Sequence, residues 1–188
     1  MQASDRLAQA RVLIVDDEES NLRLLERLLD RAGYGNVVGT TDSRQVAPLF
    51  GEFAPDLVIL DLIMPHMDGF EVMEALSKEV PDGAYLPILV LTADASAESK
   101  RRALSMGARD FLTKPFDHDE ALLRIRNLLE TRSLYLRLQA QNEALEEKVR
   151  ERTSELQENL NNAQNLAEHR RELLALMASA RLGAAADE

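Results

Sequence analysis

Pro55-Asp56-Leu57-Val58-Ile59-Leu60-Asp61-Leu62-Ile63-Met64-Pro65-His66-Met67-Asp68-Gly69 is the stretch whose reading decides the fold. Leu57 to Leu60 is short, wholly apolar and partly β-branched, the pattern of a strand buried on both faces. The run ends in a carboxylate, Asp61, and Pro65 and Asp68-Gly69 then supply turn residues. A carboxylate at the carboxyl end of a central parallel strand stands where open α/β sheets hold their ligands. Taken alone, Asp61 reads equally well as a helix cap or a solvated loop acid. The decision comes from the rest of the chain.

Working outward, four more strand-like runs appear: Arg11–Val15, Val37-Val38, Pro87–Leu91 and Arg109–Leu112. Helical spacing of apolar residues separates them: from Ser20 to a stop at Gly33, from Ser43 to Phe50 with an interruption near Pro48, from Gly69 to Val80, and from Ala95 to Gly107. A fifth helix starts near Asp117. Strands alternating with helices predict a doubly wound α/β domain with a five-stranded parallel sheet. Its carboxyl ends lie on one edge, and the residues there are Asp16 and Asp17 after the first strand, Asp61 after the third, Thr92 after the fourth and Lys114 after the fifth. Three converging carboxylates repel one another unless a cation sits among them. Oxygen ligands without Cys or His suit Mg²⁺, which favours carboxylates together with phosphate oxygens. Lys114 adds an ammonium and Thr92 a hydroxyl donor. This is equipment for phosphoryl transfer, with Asp61 as nucleophile.

Composition narrows the field. The 188 residues are 45% apolar and 29% charged, in the range of a globular protein, and there is no cysteine to serve as disulfide, thiolate ligand or nucleophile. Net charge is −11, and it is unevenly placed. Through Glu120 there are 12 basic and 22 acidic residues, net −10; afterwards 10 and 11, net −1. An acidic domain without a basic stripe is not built for nucleic acid, and no apolar run reaches the length of a membrane span. The expectation is a cytoplasmic protein with no direct nucleic-acid contact and no membrane insertion.

The elements Val15-Asp16-Asp17-Glu18, Leu60-Asp61 with Met64-Pro65 and Asp68-Gly69, Leu91-Thr92-Ala93, and Gly107 through Lys114-Pro115-Phe116 occur in order. From Asp17 to Asp61, Thr92 and Lys114 the steps are 44, 31 and 22 residues. Over about Arg11–Leu128 this resembles the receiver domain of two-component response regulators, with its flavodoxin-like (CheY-like) fold. The resemblance implies that Asp61 is the phosphoacceptor and that Asp16, Asp17, Asp61 and the backbone carbonyl of Ile63 hold Mg²⁺. It implies that Thr92 and Lys114 receive the phosphoryl group, that Phe111 swings inward when Thr92 moves, and that the Lys114-Pro115 bond is cis. On physical grounds alone Phe111 reads as core. The phosphodonor implied is a sensor histidine kinase. The only chemistry expected is phosphorylation and dephosphorylation of the chain's own aspartate, not turnover of an outside substrate.

The chain departs from a minimal receiver in its tail. Between Pro115 and Gly183 there is no Gly or Pro, a run of 67 residues rich in helix formers. With Leu128 at heptad position a, the a positions run to Met177 and the d positions from Thr131 to Ala180, and eleven of the sixteen are apolar. That favours a coiled coil and a homodimer through the C-terminal helix. Asn142, Arg152 and Asn159 are polar breaks in the seam. The predicted organisation is a receiver over 9–130, a helical coiled-coil extension for dimerisation and signalling over 131–182, and a disordered tail over 183–188. The function expected is a response regulator that signals through its dimer or partner contacts. The alternative is the receiver-plus-linker part of a longer regulator whose output domain is a cyclic-di-GMP cyclase or phosphodiesterase.

Overall fold

The computed structural model describes residues 7–81, 83–94 and 96–184, with side chains through Leu166 and at Arg170, Arg171 and Leu173. Five strands, β1 (Arg11–Val15), β2 (Asn36–Thr40), β3 (Leu57–Leu60), β4 (Ile88–Thr92) and β5 (Asp110–Thr113), form one sheet in the order β2-β1-β3-β4-β5. Every pairing is parallel. The helices are α1 (Glu19–Arg31), α2 (Val46–Phe53), α3 (Gly69–Glu79), α4 (Ala97–Ser105) and α5 (His118–Ala184). The expected five-stranded α/β architecture and the long C-terminal helix are both present.

Alternate strand residues feed two cores. Val12, Ile14, Ile59, Leu89 and Leu91 pack with Leu25 and Leu29 of α1 and Ala121, Ile125 and Leu128 of α5. Leu13, Val15, Val58, Leu60 and Val90 pack on the other face with Val46 of α2, Val72, Met73 and Leu76 of α3 and Ala103 of α4. Both faces are covered, which is why β1, β3 and β4 read as unbroken apolar runs rather than alternating ones. β1 lies between β2 and β3, so the connection out of β1 and the return to β3 diverge, and the crevice opens at the carboxyl ends of β1 and β3.

Local chemistry sets the helix ends. Asp68 caps α3 through a reciprocal pair: its carboxylate accepts from the Glu71 amide at 2.8 Å, and the Glu71 side chain accepts from the Asp68 amide at 2.9 Å. Ser96 caps α4. Gly33 and Gly107, with φ of 90° and 107°, turn the chain out of α1 and α4. The interruption expected near Pro48 does not occur. A 3₁₀ turn over Ser43–Gln45 leads straight into α2, placing Pro48 in the first turn, where its missing N–H would have no intrahelical partner.

The chain divides into two compact units, one ending at Leu136 and one starting at Arg137. The first therefore includes residues beyond the expected boundary at 130. Leu128, read as the first heptad a position, lies 8% exposed in the core of the first unit. Arg132 donates to the Tyr85 carbonyl and places its Nε 3.9 Å from Asp56. The Tyr135 hydroxyl donates to the Gly83 carbonyl, and its ring lies 5.8 Å from that of Tyr85, over which the Arg109 guanidinium sits at 4.9 Å. The first turns of the expected coil thus belong to the first unit. In the second unit, Leu138, Leu145, Val149, Leu156, Leu166 and Leu173 are each more than half exposed. α5 extends through Gly183 and Ala184; the rest of the expected tail, 185–188, lies outside the described residues, as do the side chains of Met177 and Ala180.

Arg132→Ala removes a charged donor from the half-buried Tyr85 carbonyl and should lower the stability of the first unit by roughly 2 kcal/mol. Chemical denaturation followed by the near-ultraviolet dichroism of the tyrosines measures this.

Candidate functional site

Asp16 is the first residue after β1, and its amide still donates to the Thr40 carbonyl at 3.2 Å, so the ladder carries it to the sheet edge. Asp61 follows β3 in the same way, its amide bonded to the Val15 carbonyl at 2.9 Å. Lys114 follows β5, its amide bonded to the Thr92 carbonyl at 2.8 Å. Each functional side chain is thus fixed by a backbone bond that extends a strand by one residue. The Lys114-Pro115 bond is cis.

The Lys114 ammonium bridges the two buried acids, 2.6 Å from Asp16 and 2.5 Å from Asp61. The other oxygen of Asp16 accepts from the Glu18 amide and the Asn21 side-chain amide, both at 3.0 Å. The other oxygen of Asp61 accepts from the Ile63 amide at 3.1 Å. Asp17 completes the group: carboxylate oxygens of Asp16, Asp17 and Asp61 all lie within 4.8 Å of one another. Asp17 is the most solvent-open of the three and makes no hydrogen bond among the described residues. An oxygen-only donor set of this kind fits a hard divalent cation. Burial alone would lower the Lys114 pKa. The hydrogen bonds and charges of Asp16 and Asp61 outweigh it and hold the ammonium above the ordinary lysine value.

The other expected residues stand one step back. Thr92 is fully buried, and its hydroxyl accepts from the Asp94 amide at 3.3 Å. Asp94 accepts from the Ser99 hydroxyl and the Ser96 amide, which hold its carboxyl below the usual range. Phe111 is buried in the core on the α2–α4 side, with the Lys100 ammonium 6.0 Å from its ring. Ile63 points outward, 60% exposed beside Asp61. Asn142, Arg152 and Asn159 are exposed positions of the second unit.

Three residues to which the sequence reading gave no role in the site shape it. Asn21 is a polar residue in the first turn of α1, with nothing in its spacing to mark it as a partner of Asp16. Gly69 was read as a turn residue, a helix start and part of the matching pattern, but not for the close approach that it allows. Its amide donates to the Leu62 carbonyl at 2.9 Å, and a Cβ there would lie 2.4 Å from the Asp61 carbonyl oxygen and 2.7 Å from the Leu62 Cα. Only glycine lets α3 start this close to the strand end. Ser43, 3% exposed, donates to the Pro65 carbonyl at 3.1 Å and accepts from the Met67 amide at 3.2 Å.

Lys114→Met leaves two buried carboxylates facing each other and should cost the cation-free protein on the order of 3 kcal/mol. The folded-state pKa is raised, so the ammonium's contribution is fully present below the ordinary value of 10.5 and is lost as pH climbs through the folded value. Melting temperatures of the two proteins in chelator should differ at neutral pH and converge only in strongly alkaline buffer.

Comparison with known proteins agrees with this geometry. A family model described as the response regulator receiver domain matches residues 12–126. Response regulator PleD of Caulobacter vibrioides is 40% identical over 119 residues, 63% of this chain and 26% of that protein. The DNA-binding dual master transcriptional regulator RpaA of a Synechocystis species is also 40% identical over 119 residues, covering 63% of this chain and 48% of its own. Chemotaxis protein CheY4 of Vibrio cholerae superposes with a TM-score of 0.59 at 32% identity, over 64% of this chain and 98% of that one. A Francisella response regulator receiver domain gives the same TM-score at 28% identity, over 66% and 99%. The chain spans half or less of the length of these curated relatives.

Proposed function

The chain belongs to the response regulator receiver family, and from that membership we propose that Asp61 accepts a phosphoryl group from the phosphohistidine of a sensor histidine kinase. One observation carries the proposal: two buried acids are held by a single ammonium, with a third acid beside them, at the carboxyl edge of a parallel sheet. In the transfer, an Asp61 carboxylate oxygen attacks phosphorus and the P–N bond breaks. Its electron pair leaves with the imidazole nitrogen, and an acyl phosphate forms. Hydrolysis of that anhydride restores the carboxylate. Asp16, Asp17, Asp61 and the Ile63 backbone carbonyl are the residues we assign to Mg²⁺. When bound, Mg²⁺ neutralises charge on the carboxylates and on the phosphoryl oxygens. Lys114 is placed to exchange its bond to Asp61 for one to a phosphoryl oxygen. The Thr92 hydroxyl is the second donor, and its movement away from Asp94 gives Phe111 a reason to repack. No outside substrate is assigned, and the compartment consistent with a histidine kinase donor is the cytoplasm. No described helix is long and apolar enough to cross a membrane.

The output we propose is a change in the dimer or its partner contacts. Six large apolar residues on the second unit lie exposed at a and d positions, and a second copy of the chain would bury them as a coiled coil. Asn142, Arg152 and Asn159 interrupt that seam and give it a register that can shift. Residues 9–130 with the turns through Leu136 act as receiver, and 137–182 as the dimerising extension. A second reading takes the helix as the linker to an enzymatic output domain, a cyclic-di-GMP cyclase or phosphodiesterase. What favours it is that the chain spans only 26% to 50% of the curated relatives.

Incubation with a small-molecule phosphodonor and Mg²⁺ should add one phosphoryl group by intact mass, and Asp61→Asn should abolish it. Uptake unaffected by Asp61→Asn would refute the assignment. Val149→Asp with Leu156→Asp should convert a dimer to a monomer by light scattering while leaving phosphorylation intact.

A further inference from the structure

We propose that Ser43 is a positioning residue for the phosphoryl site, clamping the loop between Asp61 and Gly69 so that the Ile63 carbonyl is held for the cation. The inference rests on the acceptor reading above and adds a residue to it. The loop is pinned at its start by the Ile63 amide on Asp61 and at its end by the Gly69 amide on the Leu62 carbonyl. Between these pins the chain makes a tight reversal. The Met67 amide donates to the Pro65 carbonyl at 2.9 Å, and His66 between them has a φ of 72°. A bond from i to i+2 around a positive φ is the pattern of the rare, strained γ-turn. Non-glycine residues adopt that conformation at a cost, which the surroundings must offset.

Ser43 spans the two ends of this turn. Its hydroxyl donates to Pro65 and accepts from Met67, the same two backbone groups that close the reversal. At 3% exposure the hydroxyl is shielded from water, so both bonds would be costly to lose. Ser43 is itself held from below. The Thr40 hydroxyl donates to the Asp42 carbonyl and accepts from the Asp42 amide, and the Asp42 carboxylate caps the next amide, that of Arg44, at 3.0 Å. The residue therefore sits on a rigid 3₁₀ turn that leads into α2, and it transmits that rigidity to the loop. His66 is exposed, so the strain is not offset by packing of its side chain. Without the clamp the reversal is left with the packing of the half-buried Met64 and Met67 against the core, no hydrogen bond from outside the loop closes it, and the carbonyls just after Asp61 gain freedom.

The test is the affinity of the full chain for Mg²⁺, read as the rise in melting temperature with added MgCl₂. Ser43→Ala should weaken it about tenfold, the size typical when a group supporting a metal ligand is removed. Because Ser43 is buried, a second pair of variants guards against simple unfolding. His66→Val at an exposed position disfavours the positive φ and should weaken Mg²⁺ in the same direction. His66→Gly adopts it freely, should retain affinity, and should recover part of the loss when combined with Ser43→Ala. Equal Mg²⁺ affinity in His66→Val and His66→Gly, or an unchanged affinity in folded Ser43→Ala, would overturn the clamp. Failure of the acceptor reading looks different: the unaltered chain would show no stabilisation by Mg²⁺ and no phosphorylation, and both proposals would fall.

Discussion

Everything in the first unit answers to one electrostatic problem, the placement of three carboxylates within 4.8 Å at a partly buried sheet edge. Two like charges about 4 Å apart repel by roughly 4 kcal/mol at an effective dielectric near 20. One ammonium, Lys114, is delivered to the cluster from 98 and 53 residues away in sequence. Only the sheet makes that delivery possible, because parallel pairing brings all carboxyl ends to one edge. With all four groups ionised, the cluster carries a net charge of −2. The protein has therefore offset enough repulsion to fold, while leaving a deficit that a divalent cation matches.

That balance depends on rigid supports more than on the acids themselves. Asp16 would be free to turn away were it not held by the Glu18 amide, Asn21 and Lys114 together. Asp61 is held by Ile63 and Lys114, and the approach of α3 behind it is allowed only by Gly69. On the far side, Thr92 and Phe111 belong to β4 and β5 and join the edge to the core under α2, α3 and α4. Phe111 has no hydroxyl, so its position is set by core packing and by the Lys100 ammonium 6.0 Å from its ring.

Much of this was legible from the residues. The strands were read to within two residues at either end because short apolar runs bounded by polar and turn residues leave little choice, and the site acids followed from asking where those runs end. Helix ends were harder. The predicted helix over Ala95–Gly107 is Ala97–Ser105, since the Ser96 hydroxyl sets its start. Pro48 read as a break because a proline has the same letter in a first turn as in an interior one. The roles of Ser43 and Asn21, and the close approach that Gly69 allows, escaped for a common reason: a polar or small residue in a loop or first turn shows no periodicity, and its role is defined only by what the fold brings against it.

The helix α5 shows where periodicity itself misleads. Ala121, Ile125 and Leu128 recur at the spacing of a heptad seam, yet they are receiver core. A helix docking on a sheet and a helix docking on a partner helix need nearly the same apolar period, so the pattern passes from one use to the other without a visible joint. The joint is polar: Arg132 and Tyr135 anchor to the carbonyls of Tyr85 and Gly83. Beyond it the exposed residues Leu138, Leu145, Val149 and Leu156 keep the apolar period but have no core to enter. Helix propensity sustains an isolated helix only marginally in water, and most helical stability comes from packing an apolar face. A stripe left exposed over this many turns is therefore an argument for association, and the anchor at Arg132 and Tyr135 marks where the helix stops serving its own domain.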